Sequence, residues 1–200
     1  MTKPTDLFCK YSDIYAEQFA IYPDEVDNEY CLTLTENDRL SKLRRLTINN
    51  VPKNTLLLPL QKYSKLDIGL SLKEVLKSDP GVFKCCDYLL ISMVNDKLYL
   101  IYIEMKSNKV VPSEVIKQFK AATCFINYCN AIIEHFYNTP LTMPLTVNVR
   151  YVLITKGTRK ESIKHKSYEK HSSPDKFAHA KVRISDENKK SATVSFGTFL

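Results

Sequence analysis

No run of about 18 apolar residues occurs in this chain, and no basic segment followed by an apolar stretch and a small-residue cleavage site opens it. Neither a membrane span nor a secretory leader is expected, which predicts a soluble, cytoplasmic protein with no membrane partner. Also missing is any C-x-x-C pair. The six cysteines (Cys9, Cys31, Cys85, Cys86, Cys124 and Cys129) have no histidine at a matching zinc spacing, so reduced, mostly buried thiols are expected. His165, His171 and His179 fall at no credible zinc spacing either and are expected at the surface. No internal repeat is visible, and no RNA-binding motif with stacking aromatics.

What is present is an ordinary globular composition. At 200 residues, with 44% apolar and 26% charged side chains, the chain can bury one sizeable core, and residues 1–200 are expected to form one domain. The formal net charge is +7, and it is unevenly spread. Residues 156–190 hold 11 Lys or Arg against 5 Asp or Glu, a net of +6, which leaves +1 for everything else. Lys156, Arg159, Lys160, Lys164, His165, Lys166 and Lys170, with Tyr168 among them, form a basic arm that suits a polyanion. A solvated surface that keeps the protein soluble explains the same charges equally well.

Local patterns predict a mainly helical first part (1–50). Thr5-Asp6 caps a helix to about Ala20, and a second helix from about Glu36 to Leu46 carries Leu40, Leu43 and Leu46. Thr55 to Leu60 reads as a strand that Pro59 confines to a sheet edge. Ser71-Leu-Lys-Glu74 has capping-box spacing and opens a short helix that Asp79-Pro80-Gly81 ends. The strongest helix starts at Pro112-Ser113 and repeats apolar residues from Ile116 to Phe136. Leu145 to Thr155 is a strand, and residues 158–176 read as a long loop or arm. A second hairpin pairs Ala180–Ser185 with Ala192–Phe199.

The centre of the chain carries the chemistry. Tyr88 to Val94 and Leu98 to Met105 flank Asn95-Asp96-Lys97 and predict a β-hairpin. Pairing across Asn95-Asp96 sets Asp87 opposite Glu104, with Cβ atoms roughly 4.5 to 5.5 Å apart, where like charges repel unless a cation lies between them. Glu104 and Lys106 point to one face, so two carboxylates and an ammonium converge. Glu187-Asn188-Lys189 repeats the Glu-x-Lys spacing in a polar turn, with no apolar strand before it; context selects Glu104 and Lys106. Both faces of the hairpin are apolar, which demands cover on both sides and favours helices above and below a mixed sheet.

A helix, a strand opened by Asp87, a turn, a strand ended by Glu104-Met-Lys106 and a long helix resemble the PD-(D/E)xK nuclease superfamily over about residues 70–155. The resemblance implies an α/β fold of three-layer α/β/α type with a central mixed sheet, restriction-endonuclease-like, with 156–200 as a basic arm and hairpin. Cys86 stands where that motif has proline. It further implies that Asp87 and Glu104 hold Mg²⁺ or Mn²⁺, that Lys106 handles the attacking water as charge stabiliser or base, and that an upstream acid completes the site. Glu74 is the first choice for that acid, Glu17 the second, and a capping role accounts for Glu74 equally well. Gln118, on the following helix, would face the site, and Lys117 and Lys120 would meet phosphates; a solvated helix face is the plainer account of all three.

The function so implied is metal-dependent hydrolysis of phosphodiester bonds in DNA, with RNA a minority alternative, by a dimer or larger complex. Such domains serve in restriction, repair, transposition or defence against invading DNA. The competing expectation is a module on the same fold that binds nucleic acid or protein without cutting. A plainer reading leaves Asp87, Glu104 and Lys106 as strand-end charges.

Overall fold

The computed structural model describes residues 8–9, 20–36, 41–63, 84–106, 110–136, 147–157 and 172–200. Among these residues the chain is mixed α/β, with two mixed sheets and one long helix. The strands are β1 (Asp24–Val26), β2 (Glu29–Thr35), β3 (Arg45–Asn49), β4 (Thr55–Pro59), β5 (Tyr88–Val94), β6 (Lys97–Lys106), β7 (Val147–Gly157), β8 (Ala178–Arg183) and β9 (Ser191–Ser195). A helical turn, α1 (Leu60–Tyr63), follows β4, and α2 (Pro112–Phe136) connects β6 to β7. No described helix is long and apolar enough to cross a membrane.

The larger sheet runs β4-β5-β6-β7-β8, antiparallel through β6 and parallel from there. Its centre is the expected hairpin in the expected register: Tyr88 pairs with Ile103 and Val94 with Lys97. Asn95 (φ 47°) and Asp96 (φ 58°) are both left-handed, which a two-residue turn of type I′ requires and Asn and Asp tolerate. β4 lies at the sheet edge, where Pro59 needs no ladder partner for its missing N–H. The Pro112 helix and the strand through Thr155 also form where the sequence places them.

Alternation along the strands divides the core in two. Leu56, Leu58, Leu89, Ile91, Leu100, Tyr102 and Leu153 face α2, which buries Val115, Phe119, Ala122 and Ile126 against them. Phe119 meets Tyr151 edge-on at 5.4 Å between ring centres, and Tyr151 stacks on Tyr102 at 4.9 Å. Leu57, Leu90, Ile101, Ile103, Val152 and Ile154 point the other way, onto Leu32, Leu34, Leu46, Ile48 and Phe196. The second face is thus covered by the sheet β1-β2-β3-β9, and the layers among the described residues are helix, sheet, sheet, which differs from the expected α/β/α order. Apolar faces specify that they be covered, not what covers them.

Three local expectations are corrected. Leu43 lies outside any regular element and Leu46 lies in β3, where no helix runs: Leu46 and Ile48 alternate with period two and enter the core between the sheets. The first part is also less helical than expected: residues 24–35 form the strands β1 and β2, with Asp27 (φ 51°) and Asn28 (φ 64°) at the two-residue turn between them. The C-terminal pair is not a hairpin, because β8 lies parallel to β7 and β9 parallel to β3, in different sheets, and the chain turns into a 3-10 helix at Phe196–Phe199. Residues 8 and 9 are helical. The rest of the first helix, the helix from Ser71 and arm residues 158–171 lie outside the described residues.

Candidate active site

Asp87 immediately precedes β5 and Glu104 is near the end of β6, and both are buried, at 5% and 0% exposure. Their contacts interlock. The Asp87 N–H donates to Glu104 Oε2 (3.1 Å), and the Met105 N–H donates to Asp87 Oδ2 (2.6 Å). Gln61 Nε2, from α1, donates to Asp87 Oδ1, and the Leu60 N–H donates to the Asp87 carbonyl (2.9 Å). Lys106 Nζ forms an ion pair with Glu104 Oε1 and is the part of the group open to solvent, at 27% side-chain exposure. Gln118 is buried on the face of α2 that meets the sheet; its amide lies close enough to favour the ionised Glu104, although its Nε2 makes no hydrogen bond of regular geometry.

Electrostatics follow from that burial. Burial, then the charge of Glu104, pushes the Asp87 carboxyl well above its ordinary pKa; Glu36 adds to the rise, while the Met105 N–H and Lys106 oppose it. Burial also raises Glu104, against the opposing pull of Lys106, Gln118 and the Asp87 N–H. Burial disfavours the Lys106 ammonium, yet the charges of Glu104, Asp87 and Glu36 outweigh it and lift its pKa. Lys106 is therefore held as a cation in this arrangement, by its ion pair with Glu104.

Sequence reasoning missed Glu36 and Gln61. Glu36 follows β2 and its charge reaches Asp87 and Lys106; its N–H donates to the Arg44 carbonyl (2.8 Å), and the neighbouring Thr35 is tied to Tyr88, whose hydroxyl donates to the Thr35 carbonyl (2.7 Å) and accepts from the Thr35 N–H (2.9 Å). The alternation Cys31-Leu-Thr-Leu-Thr35 was the available signal for that strand; the apolar spacing Leu40, Leu43, Leu46 obscured it. Gln61 follows Pro59-Leu60 and had no pattern to mark it.

The other predicted residues divide. Glu74, Glu17, Arg159, Lys160, Lys164 and Lys166 lie outside the described residues. Lys117 and Lys120 are exposed on α2, and Lys120 pairs with Asp175 (2.8 Å). Lys156 is on the opposite face of the sheet from Lys106, because Lys106 pairs in register with Thr155; it meets Glu187 at 3.3 Å. All six cysteines are free, but only Cys85 and Cys86 are buried, with Cys9 and Cys124 exposed. Burial, then Cys124 and Cys129, pushes the Cys85 thiol up to about 11, so it stays protonated.

The donor set can be tested against a divalent cation. Asp87 and Glu104 supply oxygen only, which suits Mg²⁺ or Mn²⁺, and two buried facing carboxylates with raised pKa values are short of positive charge. Among the described residues no three His, Cys, Asp or Glu side chains converge to hold a metal by themselves. Mg²⁺ keeps several waters and needs only one or two protein carboxylates, so the pair fits it. No protein-family model, no curated protein and no solved structure matches this chain.

Proposed function

We propose that this protein is a metal-dependent nuclease that hydrolyses phosphodiester bonds in DNA. One observation carries the reading: two buried carboxylates face each other across neighbouring strands, with a partly exposed lysine cation beside them. Buried charge of one sign is costly, and binding a cation gives it a purpose. The chain order β5-β6-α2-β7, with Asp87 before the first strand and Glu104 and Lys106 ending the second, supports the restriction-endonuclease-like reading of the fold.

In this reading Asp87 and Glu104 would hold Mg²⁺ or Mn²⁺ in place of their Gln61 and Lys106 contacts. Bound there, the metal would supply a water of lowered pKa and would neutralise charge on the phosphate. Lys106, released from Glu104, faces the phosphate as a fixed positive charge and stabilises the oxyanion that develops there. Gln118 orients the Glu104 carboxyl from above. Service in restriction or defence belongs to the same proposal.

The test is cleavage of plasmid and oligonucleotide DNA with Mg²⁺ or Mn²⁺ by wild type and by Asp87→Ala, Glu104→Ala and Lys106→Ala. Loss of at least about a hundredfold in each variant is expected, as for removal of one electrostatic stabiliser. Unchanged activity in all three would reject the site. A wild type that binds DNA and never cuts it would favour a binding module instead.

A further inference from the structure

The register of the larger sheet extends the site beyond its two acids. Residues paired across strands share a face, so Glu104 (β6) shares one with Leu153 (β7) and His179 (β8), and Lys106 shares it with Thr155 and Lys181. One step further, Arg183 pairs with Gly157, which has no side chain to stand beside it. Leu153 belongs to the core under α2, which fixes this as the helix-side face. Along β8 the exposed residues are His179, Lys181 and Arg183, while Ala180 and Val182 are buried on the opposite face against the second sheet. His179 Nε2 bonds Thr155 Oγ1 at 2.8 Å, which ties β8 to the strand next to Lys106.

We infer that His179, Lys181 and Arg183 form the track along which the phosphate backbone of DNA approaches Lys106; the inference rests on the nuclease reading and assigns its substrate-binding surface. Charge complementarity selects the occupant. β8 contains no acidic residue, and it carries its cations at alternate positions, roughly 7 Å apart along the strand. Strands lie about 4.8 Å apart, so Lys181 stands on the order of 10 Å from the Lys106 backbone, within one span of flexible side chains. Backbone contacts of this kind give affinity independent of base sequence and sensitive to salt. Edge-strand charges also prevent strands of different molecules from pairing, but that role makes no demand on DNA affinity.

The experiment measures binding of a labelled DNA duplex by fluorescence anisotropy in EDTA across a salt series, beside cleavage of the same duplex in Mg²⁺. Proteins compared are wild type, Lys181→Gln/Arg183→Gln, His179→Ala and, as a charge control at the opposite end of the sheet, Lys97→Gln. The double variant is expected to bind at least about tenfold more weakly, with the salt slope reduced by about two, one for each phosphate that is no longer neutralised. His179→Ala is expected to lose less, and Lys97→Gln less than about twofold. Thermal unfolding verifies that each variant folds. Equal affinity and slope for the double variant and Lys97→Gln overturns the track, even if wild type cleaves. Binding that depends on β8 in a protein that never cleaves keeps the track and rejects hydrolysis. No binding by wild type, or tighter binding to RNA of the same length, overturns the inference.

Discussion

Asp87 and Glu104 hold each other in place: the backbone N–H of Asp87 donates to Glu104 Oε2, and the Asp87 carboxylate accepts from the N–H of Met105, the residue after Glu104. Two like charges are thereby fixed side by side in a buried place, and neither strand can relax the repulsion without breaking a hydrogen bond. A cation, a proton or the ammonium of Lys106 must relieve it.

Removing one of the acids should therefore separate folding from metal binding. Without divalent metal, Asp87→Asn is expected to unfold at a temperature no lower than wild type, since the amide oxygen keeps the Met105 N–H, the exposed Gln61 amide can turn its oxygen to the new NH2, and the charge is shed. With Mg²⁺ at a hundred times its dissociation constant, wild type should gain about 2.7 kcal/mol and the variant far less. Thermal unfolding in EDTA and in Mg²⁺ measures both; equal gains would show that the ion binds elsewhere.

The raised carboxyl pKa values also set a direction for pH. The folded protein holds protons on Asp87 and Glu104 more tightly than the unfolded chain does, so this contribution to stability is full below the ordinary carboxyl range near about pH 4. It is lost as pH rises through the raised values. Denaturant unfolding of the metal-free protein should show stability falling over that window, and Asp87→Asn/Glu104→Gln should flatten the fall. Mg²⁺ competes with those protons, so its affinity should rise with pH across the same window. A metal-free wild type whose stability rises there would contradict the burial described.

Much of this pair was legible in the sequence, and the reasons are local. Asn95-Asp96 suits a two-residue turn, and pairing across it sets Asp87 opposite Glu104. The long α2 and the edge position of β4 followed likewise from period and from Pro59. What was not legible depends on distant partners. β2 and β3 carry short mixed patterns that fit either period, and their role as the second layer is decided by the apolar face of β5 and β6 that they cover. Glu36 lies near the pair through its bond to the Arg44 carbonyl and through Tyr88, which holds the neighbouring Thr35 from 53 positions away, and no local pattern encodes such a distance.

That clasp can be loosened without disturbing the core. Tyr88→Phe keeps the ring, which is buried between the sheets, and removes both hydrogen bonds to Thr35. Because Thr35 is exposed, water can replace the hydroxyl, and the cost is expected near about 1 kcal/mol in urea unfolding. Cleavage should fall further than stability does, since one of the two ties that set Glu36 near Asp87 and Lys106 is lost while its bond to the Arg44 carbonyl remains. Activity unchanged by the variant would remove Glu36 from the site.

The register of β4 against β5 makes the last prediction. Thr55 pairs with Ser92, both are buried to 0% exposure, and their hydroxyls meet at 2.7 Å. Ser92→Ala or Thr55→Val alone leaves the other hydroxyl buried without this partner, which costs about 1–3 kcal/mol. The double variant removes donor and acceptor together, so it should cost clearly less than the two single losses combined, with a coupling of at least about 0.5 kcal/mol. Urea unfolding of all four proteins closes the cycle. Additive losses would mean that the two hydroxyls do not meet, and that β4 pairs with β5 in a different register from the one that sets Leu60 and Gln61 beside Asp87.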